Sequence, residues 1–181
     1  EKANHLIECS LGIEKQIMKY CKLKPEDIND FSIKEYIEKL KRLFPDNEDM
    51  WIKYKKKRLE QFEKKEIDVF VIEEDEKVIG EITVSYKNDE LETETIPNKR
   101  VYLQAFRVDK KYQEQGLGQK LIKYCIDYLT NIGYTEFTIG IEEDNEVAKH
   151  IYFKFGFNKA IDKGHGDEFD PSEYTLYLKT N

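Results

Sequence analysis

FRVDKKYQEQGLGQ, residues 106–119, contains the change from strand to helix on which the architecture depends. A strand-like run ends at Val108, a polar turn follows, and an apolar helical pattern begins beside two closely spaced glycines, Gly116 and Gly118. The first N–H groups of a helix lack partners within it, and the helix dipole adds positive charge there. Glycines remove side chains that would keep an anion away from these groups. The segment therefore predicts a phosphate or pyrophosphate site.

Two common phosphate-binding patterns do not fit this turn. The dinucleotide fingerprint requires a third glycine three residues after the second, where this sequence has Leu121. The Walker A loop requires Gly-Lys and then Ser or Thr, whereas Gly118 is followed by Gln119 and Lys120. Spacing therefore disfavours both of these nucleotide sites.

A second segment, NEVAKHIYFKFGF at residues 145–157, also begins at a predicted helix start. Asn145 is suited to cap that helix through its side-chain oxygen. Tyr152 shares a helical stripe with Ala148 and Phe155, which favours packing in the core. From the residues alone, structural roles are sufficient for both Asn145 and Tyr152.

Together the two segments resemble the GNAT family of N-acetyltransferases. The family's coenzyme A pyrophosphate loop follows a strand and has the pattern Gln-x-x-Gly-x-Gly, which matches Gln113, Gly116 and Gly118. Its later Asn, Ala, Tyr and Gly-Phe positions match residues 145–157 in order and separation. The resemblance is detailed over residues 101–157 and loose elsewhere. It implies an acyl-CoA N-acyltransferase fold, an α/β fold with a mixed sheet, and acetyl-CoA as co-substrate with no metal.

The resemblance also implies roles for individual residues. In this family the strand before the loop separates from its neighbour, so that its backbone can pair with the pantetheine arm while the loop holds the pyrophosphate. The implied coenzyme contacts in this sequence are Phe106, Arg107, Val108, Gln113, Glu114, Gln115, Gly116, Leu117, Gly118, Gln119 and Asn145. Tyr152 matches the tyrosine near the thioester sulfur, where a phenol can protonate a departing thiolate. It is the candidate catalytic acid.

The general base is left unassigned. An amine must lose a proton before it attacks a thioester, and several family members place a glutamate on the strand that leads to the loop. Counting back from Val108, that place holds Tyr102, and no carboxylate occurs from Val101 to Val108. Glu81 on the preceding strand, a carboxylate elsewhere and a chain of waters are the open alternatives.

The whole chain, residues 1–181, is predicted to form one α/β domain. After a short strand at 4–9, periodicity indicates an enlarged helical region (10–65), which is expected to help form a wall of the acceptor site, and 101–157 is the coenzyme-binding core. Ser32 and Glu35 form a capping-box pattern. The remaining predicted elements are a hairpin of strands 68–73 and 78–86, a strand at 101–108, a helix at 117–131, a strand at 137–141, a helix at 145–155 and strands at 157–162 and 173–179.

Composition excludes several classes of protein. With 39% hydrophobic residues among 181, disorder is disfavoured, and the net charge of −7 disfavours a general nucleic-acid binder. No apolar run has the length of a membrane span or the form of a signal peptide. Three widely spaced cysteines favour a reducing, cytoplasmic compartment. The expected partner is a small-molecule or protein amine, with no nucleic acid and no membrane, and a homodimer is left open.

Three charged segments are each expected to be solvated. The acidic loop from Asp89 to Glu94 would favour a cationic amine if it bordered the acceptor channel, but an exposed loop is the simpler prediction. The basic run from Lys53 to Arg58 is predicted to be an exposed helix face. The cluster from His165 to Asp170 lacks zinc or calcium spacing and is predicted to be a connecting loop.

Two rival functions are kept beside the acetyltransferase. The first is a coenzyme A-binding sensor or partner module without catalysis, which the missing base favours and Tyr152 disfavours. The second is an unrelated α/β nucleotide-binding protein, which a preference for ATP or NAD would support.

Overall fold

A mixed β-sheet runs through the part of the chain that the computed structural model describes, which is residues 18–24, 27, 32–47 and 49–181. In sheet order, its seven described strands are β1 (Met18–Lys22), β2 (Ile67–Glu74), β3 (Lys77–Ser85), β4 (Arg100–Val108), β5 (Glu136–Ile141), β7 (Glu173–Thr180) and β6 (Lys159–His165). Neighbouring strands are antiparallel except β4 and β5, which pair in parallel. This single parallel pair lies at the centre of the sheet.

Helices cover both faces of the sheet. The described helices are α1 (Lys34–Leu43), α2 (Met50–Glu63), α3 (Leu117–Asn131) and α4 (Glu146–Lys154), and a short 3-10 turn spans Lys110–Tyr112. On one face α1 and α2 pack over Ile67, Val69 and Val71 of β2. On the other face α3 and α4 pack over a second apolar cluster that includes Phe137 of β5 and Phe157. Among the described helices, none is both long enough and apolar enough to cross a membrane.

The structure confirms the predicted elements from residue 67 onward. The hairpin is β2 and β3, and the order strand, helix, strand, helix and two closing strands is β4, α3, β5, α4, β6 and β7. The predicted mixed α/β sheet is therefore correct. The main boundary difference is β6, which runs from Lys159 to His165 and so begins and ends later than the predicted strand at 157–162.

The N-terminal region is less helical than its periodicity predicts. Residues Met18–Lys22 form β1, which pairs antiparallel with β2 and covers the edge of the sheet, so the prediction of helix there is wrong. The predicted strand at 4–9 lies outside the described residues. Ser32 is not the N-cap residue of α1, because that residue is Ile33, so the capping role predicted for Ser32 is wrong. The Ser32 hydroxyl instead donates to Oε1 of Glu81 across 3.0 Å.

Candidate active site

A bulge in β4 and the end of its pairing with β5 create a cleft in the middle of the sheet. Thr83 pairs with Gln104 and Glu81 with Arg107, so Ala105 and Phe106 lie opposite a single residue of β3. Ala105 has φ of 53°, a left-handed conformation that is uncommon for residues other than glycine. Parallel pairing with β5 ends at Leu103, opposite Ile139. Beyond that point the backbone of β4 faces a cleft instead of a strand.

The cleft opens into a cavity of about 820 Å³ that we name the coenzyme cavity. Its volume is in the range of small-molecule and cofactor sites. Most of its lining comes from five parts of the chain: the second half of β4, the turn before α3, the first turn of α3, the end of β5 and one side of α4; the start of α1 and Asp170 complete it. It therefore contains both segments that the sequence singles out, although they are far apart along the chain.

Free backbone N–H groups line this cavity at the start of α3. Gly116 is the N-cap residue of α3 with φ of 74°, and Glu114 also has positive φ, at 62°. None of the amides from 114 to 119 donates a hydrogen bond to another described residue. Successive unpaired amides at the start of a 15-residue helix form an anion site. The geometry is thus suited to a pyrophosphate.

Gly118 allows α3 to approach β4 closely. A Cβ atom at this position would lie 2.8 Å from Cζ of Phe106 and 3.2 Å from Cγ2 of Val108. Any larger residue would therefore push the first turn of the helix away from the strand. The sequence predicts that Gly118 clears space for an anion, and the structure adds this packing role.

Two polar side chains of the coenzyme cavity stabilise its backbone. Nε2 of Gln113 donates to the carbonyl oxygen of Val108 at 2.9 Å, which fixes the turn to the strand. Oδ1 of Asn145 accepts the N–H of Ala148 at 3.0 Å, so the predicted helix cap is confirmed. These bonds leave the backbone as the part of the loop that is free to contact a ligand.

Tyr152 lies on α4 with its ring buried between two aromatic residues. The ring centroids of Phe106 and Phe157 are each 6.1 Å from that of Tyr152, in edge-on geometry. The side chain lines the coenzyme cavity, and its hydroxyl bonds to none of the residues that the structure describes. Burial raises the pKa of Tyr152 above its usual value, so the phenol is protonated at neutral pH. It can therefore donate a proton or hydrogen bond into the cleft.

A second cavity, of about 180 Å³, lies on the side of the sheet that carries α1 and α2, and we name it the acceptor cavity. Its wall includes Tyr36 of α1, Tyr54 of α2 and Phe169 from the segment between β6 and β7. The two cavities share part of their lining, namely Tyr36, Tyr102, Gln104, Ala105, Arg107, Gly140, Glu142 and Asp170. They therefore meet at the bulge of β4.

Comparison with known proteins agrees with this architecture. A family model described as the acetyltransferase (GNAT) family matches residues 30–157, well over half of the chain. The chain belongs to the GNAT family.

Similar proteins include several acetyltransferases. A probable spermine N(1)-acetyltransferase of Bacillus subtilis subsp. natto is 39% identical over 61 residues, which are 33% of this chain and 40% of that protein. The ribosomal protein bS18-alanine N-acetyltransferase of Escherichia coli is 38% identical over 53 residues, 29% of this chain and 36% of that protein. The chain thus matches less than half the length of these relatives.

A solved structure extends the similarity to nearly the whole chain. The PaiA N-acetyltransferase of Thermoplasma acidophilum, in complex with coenzyme A, has a TM-score of 0.63 and 21% identity, covering 91% of this chain and 99% of that one. The two proteins therefore share the GNAT fold over the matched length.

In this GNAT protein the acidic loop before β4 is built into the site. The Glu94 side chain is fully buried, and its Oε2 accepts the N–H groups of Asp89 at 3.0 Å and Glu90 at 3.3 Å. Its Oε1 accepts the hydroxyl of Tyr174 at 2.9 Å. Asp89 and Glu90 line the acceptor cavity. The prediction of a plain solvated loop therefore holds for Asp89, Glu90 and Glu92, which are exposed, and is wrong for Glu94, whose buried carboxylate organises the loop.

Two arginines of the GNAT domain bond within the protein. Arg58 is only 4% exposed, so the prediction of a solvated helix face is wrong at this residue. The guanidinium of Arg107 donates to Oε1 of Glu81 at 2.7 Å and lies over the ring of Tyr36. Arg107 lines both cavities, and its contact with the coenzyme stays a prediction.

Glu81, one of the open choices for the base, lies behind Arg107. It is 2% exposed, and it is not among the residues that line either cavity. Burial raises the pKa of Glu81, and the Arg107 guanidinium opposes that rise. This buried pair holds β3, β4 and Ser32 together, away from the acceptor.

The charged residues between β6 and β7 have partners of their own. Asp167 bonds through Oδ2 to Nζ of Lys57 at 3.1 Å and through Oδ1 to the N–H groups of Phe169 and Asp170. Glu168 pairs with Lys53. Throughout the described residues there is no cluster of three or more potential metal ligands. The segment is a connecting loop that closes over α2.

Proposed function

We propose that this protein transfers the acetyl group of acetyl-CoA to a primary amine by direct attack in a ternary complex. The observation that carries the proposal is the meeting of two cavities at the bulge of β4. One cavity has the backbone amides that suit a pyrophosphate, and the other has carboxylates that suit an amine. Two reactants that enter from opposite sides of a sheet and meet at one point can react without a covalent enzyme intermediate.

The coenzyme is proposed to bind along β4 and the start of α3. The unpaired amides of residues 114–119 would hold the pyrophosphate, and the unpaired backbone of β4 from Gln104 to Val108 would pair with the pantetheine arm. Asn145 lines the same cavity near the end of β5. The crystal structure of a relative with coenzyme A supports this assignment at the level of the fold.

The chemical step places Tyr152 at the leaving group. The neutral amine nitrogen attacks the thioester carbonyl carbon, and collapse of the tetrahedral intermediate breaks the carbon–sulfur bond. The sulfur takes the electron pair, and the protonated phenol of Tyr152 donates a proton or a hydrogen bond to it. The nitrogen, which is positively charged after the attack, loses one proton as the amide forms, and that proton passes through water to the phenolate or thiolate that remains. Backbone N–H groups of β4 beside the bulge are placed to stabilise the developing oxyanion.

The acceptor is proposed to be a small cationic amine. The acceptor cavity is small, and Asp89, Glu90, Glu142 and Asp170 contribute carboxylates to its wall. Negative side chains attract an ammonium group and raise its local concentration. A relative named as a spermine N(1)-acetyltransferase makes spermine the acceptor to test first.

The test has a binding part and a turnover part. Thermal unfolding is measured with acetyl-CoA, ATP and NAD, and the proposal predicts a rise in Tm with acetyl-CoA only. Release of free thiol from acetyl-CoA is then followed with spermine as acceptor. A Tm rise without thiol release would favour the non-catalytic coenzyme-binding module. A rise with ATP or NAD but not acetyl-CoA would favour the unrelated nucleotide-binding protein.

A further inference from the structure

Tyr102 of β4 faces the junction of the two cavities. It is 8% exposed and lines both cavities. Its hydroxyl lies over Gly140 of β5, where a Cβ atom would be 3.1 Å from it. Gly140 thus leaves room for a phenol directly beside the point where β4 and β5 separate.

Tyr174 connects this phenol to a buried carboxylate. Its ring also packs on Gly140, where a Cβ would lie 2.7 Å from Cδ2, so the two phenols meet at this glycine, and each shifts the pKa of the other. The Tyr174 hydroxyl donates to Oε1 of Glu94 at 2.9 Å. A phenol has one proton, so the Tyr174 oxygen can act only as an acceptor toward Tyr102 while its proton is directed at Glu94. A proton passed between these side chains would therefore travel from the cavity to Glu94.

Of Tyr102, Tyr174 and Glu94, only Glu94 is a carboxylate, and its surroundings suit a proton acceptor. The side chain is 0% exposed, and it forms no ion pair with any described lysine or arginine. Two N–H groups of its own loop hold Oε2 in place, which leaves Oε1 for Tyr174. Burial raises the pKa of Glu94, which makes the carboxylate a stronger base than an exposed glutamate.

We propose that Tyr102, Tyr174 and Glu94 form a proton relay that deprotonates the acceptor amine. The relay rests on the proposed acetyl transfer and supplies the base that the sequence left unassigned. The ammonium gives one proton to the Tyr102 oxygen, Tyr102 passes its own proton to Tyr174, and Tyr174 passes its own to Oε1 of Glu94. The products are a neutral amine and a protonated Glu94, and both phenols end as they began.

Other titratable groups surround the relay and define the alternatives. The other charged or titratable residues that line the acceptor cavity around it are Tyr36 of α1, Tyr54, Lys57 and Arg58 of α2, Asp89 and Glu90 of the acidic loop, Arg107 of β4, Glu142 after β5, His165 at the end of β6, and Asp167 and Asp170 after it. Glu142 and Asp170 also line both cavities. Of these two, Glu142 follows β5 directly, so it is the strongest competing base.

The test compares the pH dependence of kcat/KM for spermine in variants that lack one hydroxyl. Tyr102→Phe and Tyr174→Phe break the relay, and Glu142→Gln removes the competing carboxylate. Tyr177→Phe is the matched control, because Tyr177 is on the same strand as Tyr174 but packs against Phe153, away from both cavities. Coenzyme A must still raise the Tm of each variant, which shows that the fold is kept. If Tyr174→Phe does not fold, Tyr102→Phe alone carries the test.

We expect each relay variant to lose about 10- to 100-fold of kcat/KM at about pH 7, where the amine is protonated. The loss should shrink toward about pH 10, because the amine then loses its proton to water. Tyr177→Phe should follow the wild type throughout. An equal loss at every pH, no loss, or a pH-dependent loss confined to Glu142→Gln would overturn the relay and leave the acetyl transfer standing. Wild type that releases no thiol would overturn both.

Discussion

The coenzyme cavity and the acceptor cavity are built in different ways. The coenzyme cavity presents backbone: unpaired amides from 114 to 119 and the strand edge of β4. The acceptor cavity presents side chains, and they come from α1, α2, the acidic loop, β4 and the segment between β6 and β7. A backbone site can bind the same coenzyme whatever the side chains are, whereas a side-chain site changes its ligand when a few residues change.

This difference separates what is shared from what is particular in a GNAT protein. The parts proposed to recognise the coenzyme lie within one strand–turn–helix unit and α4, so their residues have a fixed spacing along the chain. The parts that recognise the acceptor are brought together only by the fold. Family membership therefore predicts the first ligand, and the second must be argued from charge and shape.

The strongest test of this comparison is at Tyr152, the proposed acid, which lines the coenzyme cavity and not the acceptor cavity. Tyr152→Phe should lower kcat by about 100-fold, because the thiolate would leave without a proton donor. The affinity for acetyl-CoA should stay within about twofold, since the phenol adds little to binding in the ground state. Steady-state thiol release and calorimetric titration measure the two quantities.

The control for this variant is Tyr124→Phe, which removes a hydroxyl from α3 where the ring packs on Phe70. It should leave kcat unchanged. A normal kcat in Tyr152→Phe would exclude Tyr152 as the acid and place the proton donor elsewhere, most simply in solvent.

Binding of acetyl-CoA should weaken when the backbone of the coenzyme cavity is moved. Gly118→Val places methyl groups against Phe106 and Val108, where even a Cβ is within 2.8 Å and 3.2 Å of the nearest atoms. Overpacking of this kind costs about 1–3 kcal/mol. The acetyl-CoA dissociation constant should rise about 10- to 100-fold, since that energy also moves the amides of α3.

Gly118→Ala provides the graded step, with a smaller rise of the dissociation constant. Denaturant unfolding and calorimetric titration give both effects. If Gly118→Val bound acetyl-CoA like the wild type, the close approach of α3 to β4 would not be what sets the position of the amides.

KM for the acceptor should depend on the charge of the acceptor cavity and not on its packing. Glu90→Gln and Glu92→Gln each remove one negative charge from the same exposed loop, but only Glu90 lines the acceptor cavity. A unit charge near an ammonium group is worth about 1 kcal/mol in a watery setting, so KM for spermine should rise about fivefold in Glu90→Gln. Glu92→Gln should change KM by less than about twofold.

Salt should reduce the difference between these two variants, because it screens exposed charges. Measurement of KM for spermine at low and high ionic strength provides that check. Equal effects of the two substitutions would mean that overall charge, and not the wall of the cavity, attracts the acceptor.

The same contrast, between residues close in sequence and residues that only the fold brings together, explains which features could be predicted from the sequence. The hairpin, the order of elements after it, the turn at Gly116 and the cap at Asn145 all depend on neighbours close in sequence, and the structure confirms them. Burial of Glu94 could not be predicted, because Tyr174, which bonds to it, is far along the chain. The strand at Met18–Lys22 could not be predicted for the same reason, because its pairing with β2, which is distant in sequence, outweighs a helix-like pattern.

The direction of the side chains at the bulge of β4 could not be predicted from the sequence either. Phe106 and Arg107 are adjacent, and the resemblance assigned both to the coenzyme, yet they pack on opposite faces, against Gly118 and Glu81 respectively. Which face each residue takes depends on the extra residue that the bulge inserts in β4. A strand pattern read with a strict period of two cannot reveal that shift.

The smallest expected effect comes from two glycines, and it distinguishes a role in backbone conformation from a role in ligand binding. Gly116 and Gly133 both have positive φ, 74° and 109°, and a Cβ at either would meet no atom within 4 Å. Alanine at each should therefore destabilise the fold by about 1 kcal/mol, through backbone strain alone. Only Gly116 begins α3 beside the unpaired amides, so only Gly116→Ala should weaken acetyl-CoA, by less than about fivefold. Denaturant unfolding and calorimetric titration of the pair test this, and equal coenzyme affinities would show that the conformation of Gly116 serves the helix start and not the pyrophosphate.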